Sequence, residues 1–211
     1  MICYSTAKIK NFSTTVQLNE LNLEEQKEVE LLKSNKKVNE YVASRFLIKE
    51  LLSSFTTESL NVLKSKKGKP YFSSKRASEK LALSYSHSTN YISAAVADVK
   101  SIGIDVEEIK RFDHHKAFNK WLTKGEINEL KKSVNLSLAL CILWTKKESL
   151  CKATGLGFDL IFKNHSIINK EVYVHNNQTF FFKTIVELDH VTTICNSDTE
   201  SDDDFKPLFF N

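Results

Sequence analysis

Three carboxylates and one lysine in this sequence have the types and spacing for phosphate chemistry. Asp105 and Glu107 lie in "SIGIDVEEI", residues 101 to 109, where Ile102, Ile104 and Val106 alternate with Gly103, Asp105 and Glu107. That alternation predicts a half-buried β-strand. Side chains two apart on a strand point the same way, so the two acids stand side by side and repel. Glu148 and Lys152 lie in "LWTKKESLCKATGLGF", residues 143 to 158, four apart and on one face of a predicted helix.

Each element has an ordinary explanation by itself. Asp105 and Glu107 fit the solvent face of an edge strand. Glu148 and Lys152 fit a surface ion pair worth a few tenths of a kcal/mol. Together they support a sharper expectation, in which two strand carboxylates and one helix carboxylate converge on a hard cation. Mg²⁺ takes oxygen ligands at about 2.0–2.1 Å and keeps room for water and a substrate phosphate. A cation between Asp105 and Glu107 turns their repulsion into binding, and such a site suits phosphoryl or pyrophosphate chemistry.

The elements that must position these groups come in blocks. A strand or two opens the chain over residues 1 to 18, and helix follows from Glu24 to about Phe55, broken near Ser34 and Asn35. A lysine-rich turn, "KSKKGKPYF", precedes a predicted hairpin in "LALSYSHSTNYISAAVAD". After the acidic strand, helices are expected over 115–132 and 136–154, the second stopped by Gly155 and Gly157. Strands are expected at 171–174, 179–187 and 191–195, and the acidic stretch Asp198 to Asp204 reads as a solvated, loosely ordered end. Blocks of this kind predict an α+β fold, with two similar halves meeting near residue 100.

Composition narrows the classes. The 211 residues carry 30 Lys and Arg against 26 Asp and Glu, a net charge of +4 that is too small to announce a nucleic-acid binder. Cys3, Cys141, Cys151 and Cys195 have no CxxC spacing, which argues against a zinc site and a disulfide framework and fits a reducing compartment. The start "MICYSTAKIKNF" lacks a signal-peptide pattern, and the longest apolar run, Leu138 to Trp144, falls far short of the ~20 residues of a membrane span. The expectation is a cytoplasmic protein without a membrane or nucleic-acid partner.

These motifs resemble the signature pair of the Sfp-type 4′-phosphopantetheinyl transferases. That family pattern is a G-[IV]-D strand with a second acid two residues on, then W-[STC]-x-K-E-[AS]-x-x-K on a helix. Here it is Gly103, Ile104, Asp105 and Glu107, then Trp144, Thr145, Lys147, Glu148, Ser149 and Lys152. "GKP" at 68 to 70 and "LSYSHS" at 83 to 88 resemble the upstream motifs, with Ser84 and Tyr85 replacing the usual Asn and aliphatic residue. Arg45 matches a basic family position, and the likeness runs from about residue 40 to 160.

The resemblance implies transfer of the phosphopantetheine arm of coenzyme A to a serine of an apo acyl or peptidyl carrier protein, releasing 3′,5′-ADP. It implies a monomer of two pseudo-twofold halves, 1–100 and 101–211, each a small antiparallel sheet with helices, and an active site in the cleft between them. Asp105, Glu107 and Glu148 become ligands of Mg²⁺, with Mn²⁺ as a substitute. Glu148 and Lys152 are the candidate catalytic groups, and Lys152 also contacts phosphate. Arg45, Lys69, Ser86 and His87 are candidate coenzyme A contacts. Glu126 matches another family acid near the site, although a glutamate at a helix start has an ordinary structural role. Trp144 reads as core packing. The basic segment around Phe112, Lys116, Phe118, Lys120 and Trp121 is the expected docking face for an acidic carrier protein, the alternative being an ordinary amphipathic helix. Rival readings are a Mg²⁺-dependent nuclease or phosphodiesterase and a non-catalytic carrier-binding module. Neither accounts for the helix motif, GKP and SHS together.

Overall fold

The structure is a computed structural model that describes residues 1–12, 18–58, 60–66, 68–74, 80–112, 121–156, 165–199 and 201–209. Mixed α and β elements build it. Strand β1 (Ile2–Lys8) leads through a 3₁₀ turn to helices α1 (Leu23–Glu30) and α2 (Asn35–Ser53). Strands β2 (Val62–Lys64) and β3 (Pro70–Phe72) pair with each other, and the hairpin β4 (Ala82–His87) and β5 (Tyr91–Ala97) follows. Then come β6 (Ile102–Glu108), α3 (Lys124–Leu130), α4 (Leu136–Thr154), β7 (Val172–His175), β8 (Gln178–Val186), β9 (His190–Asn196) and β10 (Phe205–Pro207).

Two four-stranded sheets result, ordered β10-β1-β5-β4 and β6-β9-β8-β7. Each carries one long helix. Ala43, Leu47, Ile48 and Leu51 of α2 pack on Leu83, Ile92, Ala94 and Val96 of the first sheet. Leu140, Leu143, Trp144 and Leu150 of α4 pack with Tyr173, Phe180, Phe182 and Val191 of the second. The placement of Trp144 in this core agrees with its sequence reading. A third cluster joins the sheets through Ile2, Ala95, Ile102, Ile104, Ile194 and Phe205.

The helices start where local chemistry dictates. Asn22 and Thr123 each close a capping box, with Glu25 and Glu126 reaching back to the cap backbone. Ser34 and Asn135 cap the two 19-residue helices α2 and α4. Gly155 ends α4 at φ 69°, a left-handed conformation that favours glycine.

Four expectations change. β6 borders its sheet but is buried along all seven residues, because β4 and α4 cover it, so the half-buried reading is corrected. The lysine-rich stretch is a two-stranded hairpin, with its turn between β2 and β3. The acidic end is folded: Asp202–Asp204 form a 3₁₀ turn, and β10 pairs in parallel with β1 because Phe205 buries its ring beside Ile2 and Ile102. Of the helix expected over 115–132, α3 spans Lys124–Leu130, while residues 113–120, like Gly157, lie outside the described residues. The four cysteines are free and buried.

Candidate active site

Alternation along β6 sends Ile102 and Ile104 into the core between the sheets and Gly103, Asp105 and Glu107 toward α4. Gly103 is what lets α4 come so close. A Cβ built there falls on the Ser149 carbonyl oxygen, 2.6 Å from the Ala153 nitrogen and 3.0 Å from Lys152 Cβ. α4 crosses β6 antiparallel, with Cys141 Sγ 3.6 Å from the Glu107 carbonyl at one end and Ser101 Oγ donating to the Ala153 carbonyl at the other. The C-terminal half of α4 therefore lies over Asp105.

Asp105 is the hub. Its Oδ1 accepts from Ser86 Oγ of β4 at 2.6 Å and from Lys152 Nζ of α4 at 2.8 Å. Lys152 also donates to the Ile104 carbonyl at 3.0 Å. Lys152 thus reaches across to the strand acid, and the surface-pair explanation for Glu148 and Lys152 is corrected. Glu107 forms an ion pair with Arg111, four residues further on and past the end of β6. Burial, and then the charge of Asp105, push the Glu107 carboxyl up to about 7. Glu148 on α4 is half-buried, and burial followed by the charges of Asp105 and Glu107 lifts it to about 7 as well. The three acids therefore share one electrostatic neighbourhood.

Whether oxygen ligands suited to a divalent ion are present can be read from their partners. Asp105 Oδ2 and Glu107 Oε2 are buried and have no hydrogen-bond partner among the described residues. Leaving such atoms unpaired is costly, and a hard cation that takes oxygen ligands is the partner that fits them. Among the described residues no three His, Cys, Asp or Glu side chains already form a metal cage. Lys152 and Arg111 hold one oxygen each of Asp105 and Glu107 in that state.

Beside the hub lies a cavity of about 860 Å³, lined by Lys69, Tyr85, Lys152 and Gly155 among others. Lys69 Nζ donates to the Ala153 carbonyl at 3.2 Å, and burial pulls its pKa down. Lys69, Ser86 and Lys152 are thus brought to the Asp105 neighbourhood. Arg45 and His87 are not brought into contact with it. Arg45 is 1% exposed, lies 3.6 Å from Glu25 and 3.7 Å from Glu28, and stacks on Tyr41. Its guanidinium is 5.7 Å from the ring of Tyr85, which lines the cavity. His87 follows Ser86 on β4, so it points the opposite way, and its Nδ1 lies 3.7 Å from Glu40 of α2.

Residues 101–197 match the family model of the 4′-phosphopantetheinyl transferase superfamily. The match runs from the residue before β6 to the residue after β9. Compared with curated proteins, the chain matches none. The matched segment contains Asp105, Glu107, Glu126, Glu148 and Lys152, while Arg45, Lys69, Ser86 and His87 precede it.

Within the matched segment, Glu126 and Lys147 form a buried ion pair at 2.7 Å, both side chains 0% exposed. Glu126 also accepts from the backbone nitrogens of Thr123 and Ile167 at 2.9 and 3.2 Å. It is thus a structural tie between α3, α4 and the segment before β7. Sequence reasoning missed three partners: Lys147 for Glu126, Arg111 for Glu107, and Glu40 for His87. The Glu107–Arg111 pair is close in sequence, but Glu107 is on a strand, where a four-residue interval predicts no contact. The other two pairs join distant parts of the chain and had no sequence signal.

Proposed function

We propose that this protein is a 4′-phosphopantetheinyl transferase. It moves the phosphopantetheine arm of coenzyme A to a serine of an apo acyl or peptidyl carrier protein and releases 3′,5′-ADP. The observation that carries this reading is Asp105, held at once by Ser86 of β4 and Lys152 of α4 beside two carboxylates raised to about 7. The superfamily match over residues 101–197 supports it.

In this reading the serine oxygen forms a bond to the phosphorus that carries pantetheine. The bond from that phosphorus to the bridging oxygen breaks, and the electron pair leaves with the adenosine bisphosphate. Asp105, Glu107 and Glu148 would hold Mg²⁺, or Mn²⁺ in its place. Bound there, the ion supplies positive charge to the diphosphate as the leaving group forms. Lys152 turns its ammonium from Asp105 to the phosphates, and Lys69 adds a second positive charge from the cavity wall. Glu148 or Lys152 takes the serine proton, directly or through a water. Ser86 fixes the Asp105 carboxylate. Arg45 acts through Tyr85 in this scheme, and His87 meets the diphosphate only after a rotation of its side chain away from Glu40.

The domain boundary is proposed at 100/101, with two pseudo-twofold halves and the cleft between them as the reaction site. The element order supports this: a strand, a short capped helix, a 19-residue helix and a hairpin occur in each half. The protein acts as a cytoplasmic monomer. No described helix is long and apolar enough to cross a membrane. The carrier is met by the basic segment of Phe112, Lys116, Phe118, Lys120 and Trp121, of which residues 116, 118 and 120 lie outside the described residues.

The test is mass spectrometry of an apo carrier protein incubated with the enzyme, coenzyme A and Mg²⁺. A phosphopantetheine mass increase with equimolar 3′,5′-ADP is expected, and its loss in folded Asp105→Ala and Glu148→Ala variants. Full activity in both variants overturns the site assignment.

A further inference from the structure

A transferase with two large substrates needs an entrance for each. The structure has two cavities at opposite ends of the seam where β4 meets β6. The first, described above, involves the start of β4 through Leu83 and Ser84, and the C-terminal turn of α4. The second, about 710 Å³, lies at their far ends, where Thr89, Asn90 and Tyr91 meet Glu108 and Lys110. The Ser86–Asp105 contact sits between them.

The second cavity carries Lys8, Lys10, Lys36 and Lys110 against Glu40, Glu108 and Asp189. The balance of charge is nearly even, but its distribution is not. The side chains of Lys36 and Lys110 are 65% and 71% exposed, whereas those of Glu40 and Glu108 are 11% and 7% exposed. Those two acids pair with the same lysines, Glu40 with Lys36 and Glu108 with Lys110, at 3.8 Å each, so Lys8 and Lys10 carry the cleft's surplus charge. Glu108 accepts from Asn90 at 2.5 Å, and Glu40 lies 3.7 Å from His87. Asp189, the one exposed acid, accepts from the Tyr91 hydroxyl at 2.8 Å and meets His190 Nδ1 at 2.9 Å. The rim presented to solvent is therefore mainly positive, and Ile9, Phe12 and Tyr91 supply an apolar floor. A positive rim around an apolar floor suits an acidic protein face, whose charges are steered by the rim and whose apolar side chains are anchored below.

We propose that this lysine-rimmed cleft is the docking site of the acidic carrier protein, on the side of the reaction centre away from the Lys69 cavity. The assignment rests on the transferase reading. It puts carrier recognition on the first half of the chain as well as on the basic segment that begins at Lys110. It also lets the serine approach from one end of the seam while the nucleotide enters from the other.

Lys8→Glu/Lys10→Glu/Lys36→Glu tests it, with Lys132→Glu, which lines neither cavity, as control. The assays use coenzyme A, Mg²⁺, and apo acyl and apo peptidyl carrier proteins as probes. The expected result is a KM for carrier raised tenfold or more, a weaker salt dependence of kcat/KM, and unchanged KM and calorimetric Kd for coenzyme A. A carrier KM equal to wild type overturns the proposal while leaving the transferase reading intact. A rise confined to the coenzyme A KM also overturns it and makes the cleft a nucleotide site. A wild-type protein that transfers nothing to either carrier overturns the transferase reading, and this proposal with it.

Discussion

At the scale of single residues the protein is organised around carboxylates whose company decides their state. Asp105 has Ser86 and Lys152 on one oxygen, while Glu107 and Glu148 are lifted to about 7 by burial and by the nearby acids. A carboxylate with a raised folded pKa holds its proton to higher pH than the unfolded chain does. The folded state therefore loses stability relative to the unfolded state as pH rises from the ordinary value of 4.5 through about 7. In EDTA, the Tm of wild type minus that of Glu107→Gln should fall between pH 5 and pH 8 and then level off. A flat difference across that range contradicts the assignment. The acids and Lys152 were readable because their spacing on one strand and one helix is set by backbone geometry. The Ser86 contact with Asp105 and the approach of Arg45 to Tyr85 depend on which strand neighbours which, and alternation alone did not reveal that His87 turns to Glu40.

Between elements, the distance from β6 to α4 controls the site. Gly103 has no Cβ where one would collide with backbone atoms of Ser149 and Ala153. Gly103→Ala must push the helix off the strand. Overpacking of this kind costs about 1–3 kcal/mol, and it separates Lys152 from Asp105. The expected outcome is a lower Tm together with a loss of coenzyme A affinity larger than in Leu140→Ala, which cavitates the core nearer the start of α4. Equal affinity losses in two variants matched for stability contradict a positioning role for Gly103. Helix α4 itself was legible over 136–154 with Gly155 as its stop, while its cap at Asn135 was not read. The burial of β6 was not, because its cover comes from β4 and α4, contacts that no local pattern encodes. The β2–β3 pair was hidden in a lysine-rich stretch whose composition resembles a loop.

Across the whole molecule, the two sheets are tied by a shared core and by the returning end of the chain. Phe205 on β10 packs with Ile2 of β1 and Ile102 of β6, and the acidic composition before it concealed that strand. Phe205→Ala should destabilise the fold by about 3 kcal/mol, measured by urea denaturation. A change within 0.5 kcal/mol, the size of an ordinary surface substitution, contradicts that anchoring. The same tie holds β4 against β6 and so keeps Ser86 at Asp105. The central claim is that this arrangement grips a diphosphate through a divalent ion. Calorimetric titration of coenzyme A in Mg²⁺ and in EDTA, on wild type and on folded Asp105→Ala, tests it most directly. Wild type should bind at least tenfold more tightly in Mg²⁺ than in EDTA, and Asp105→Ala should lose that difference. Binding by wild type that is indifferent to Mg²⁺, or an undiminished Mg²⁺ effect in Asp105→Ala, would contradict the account.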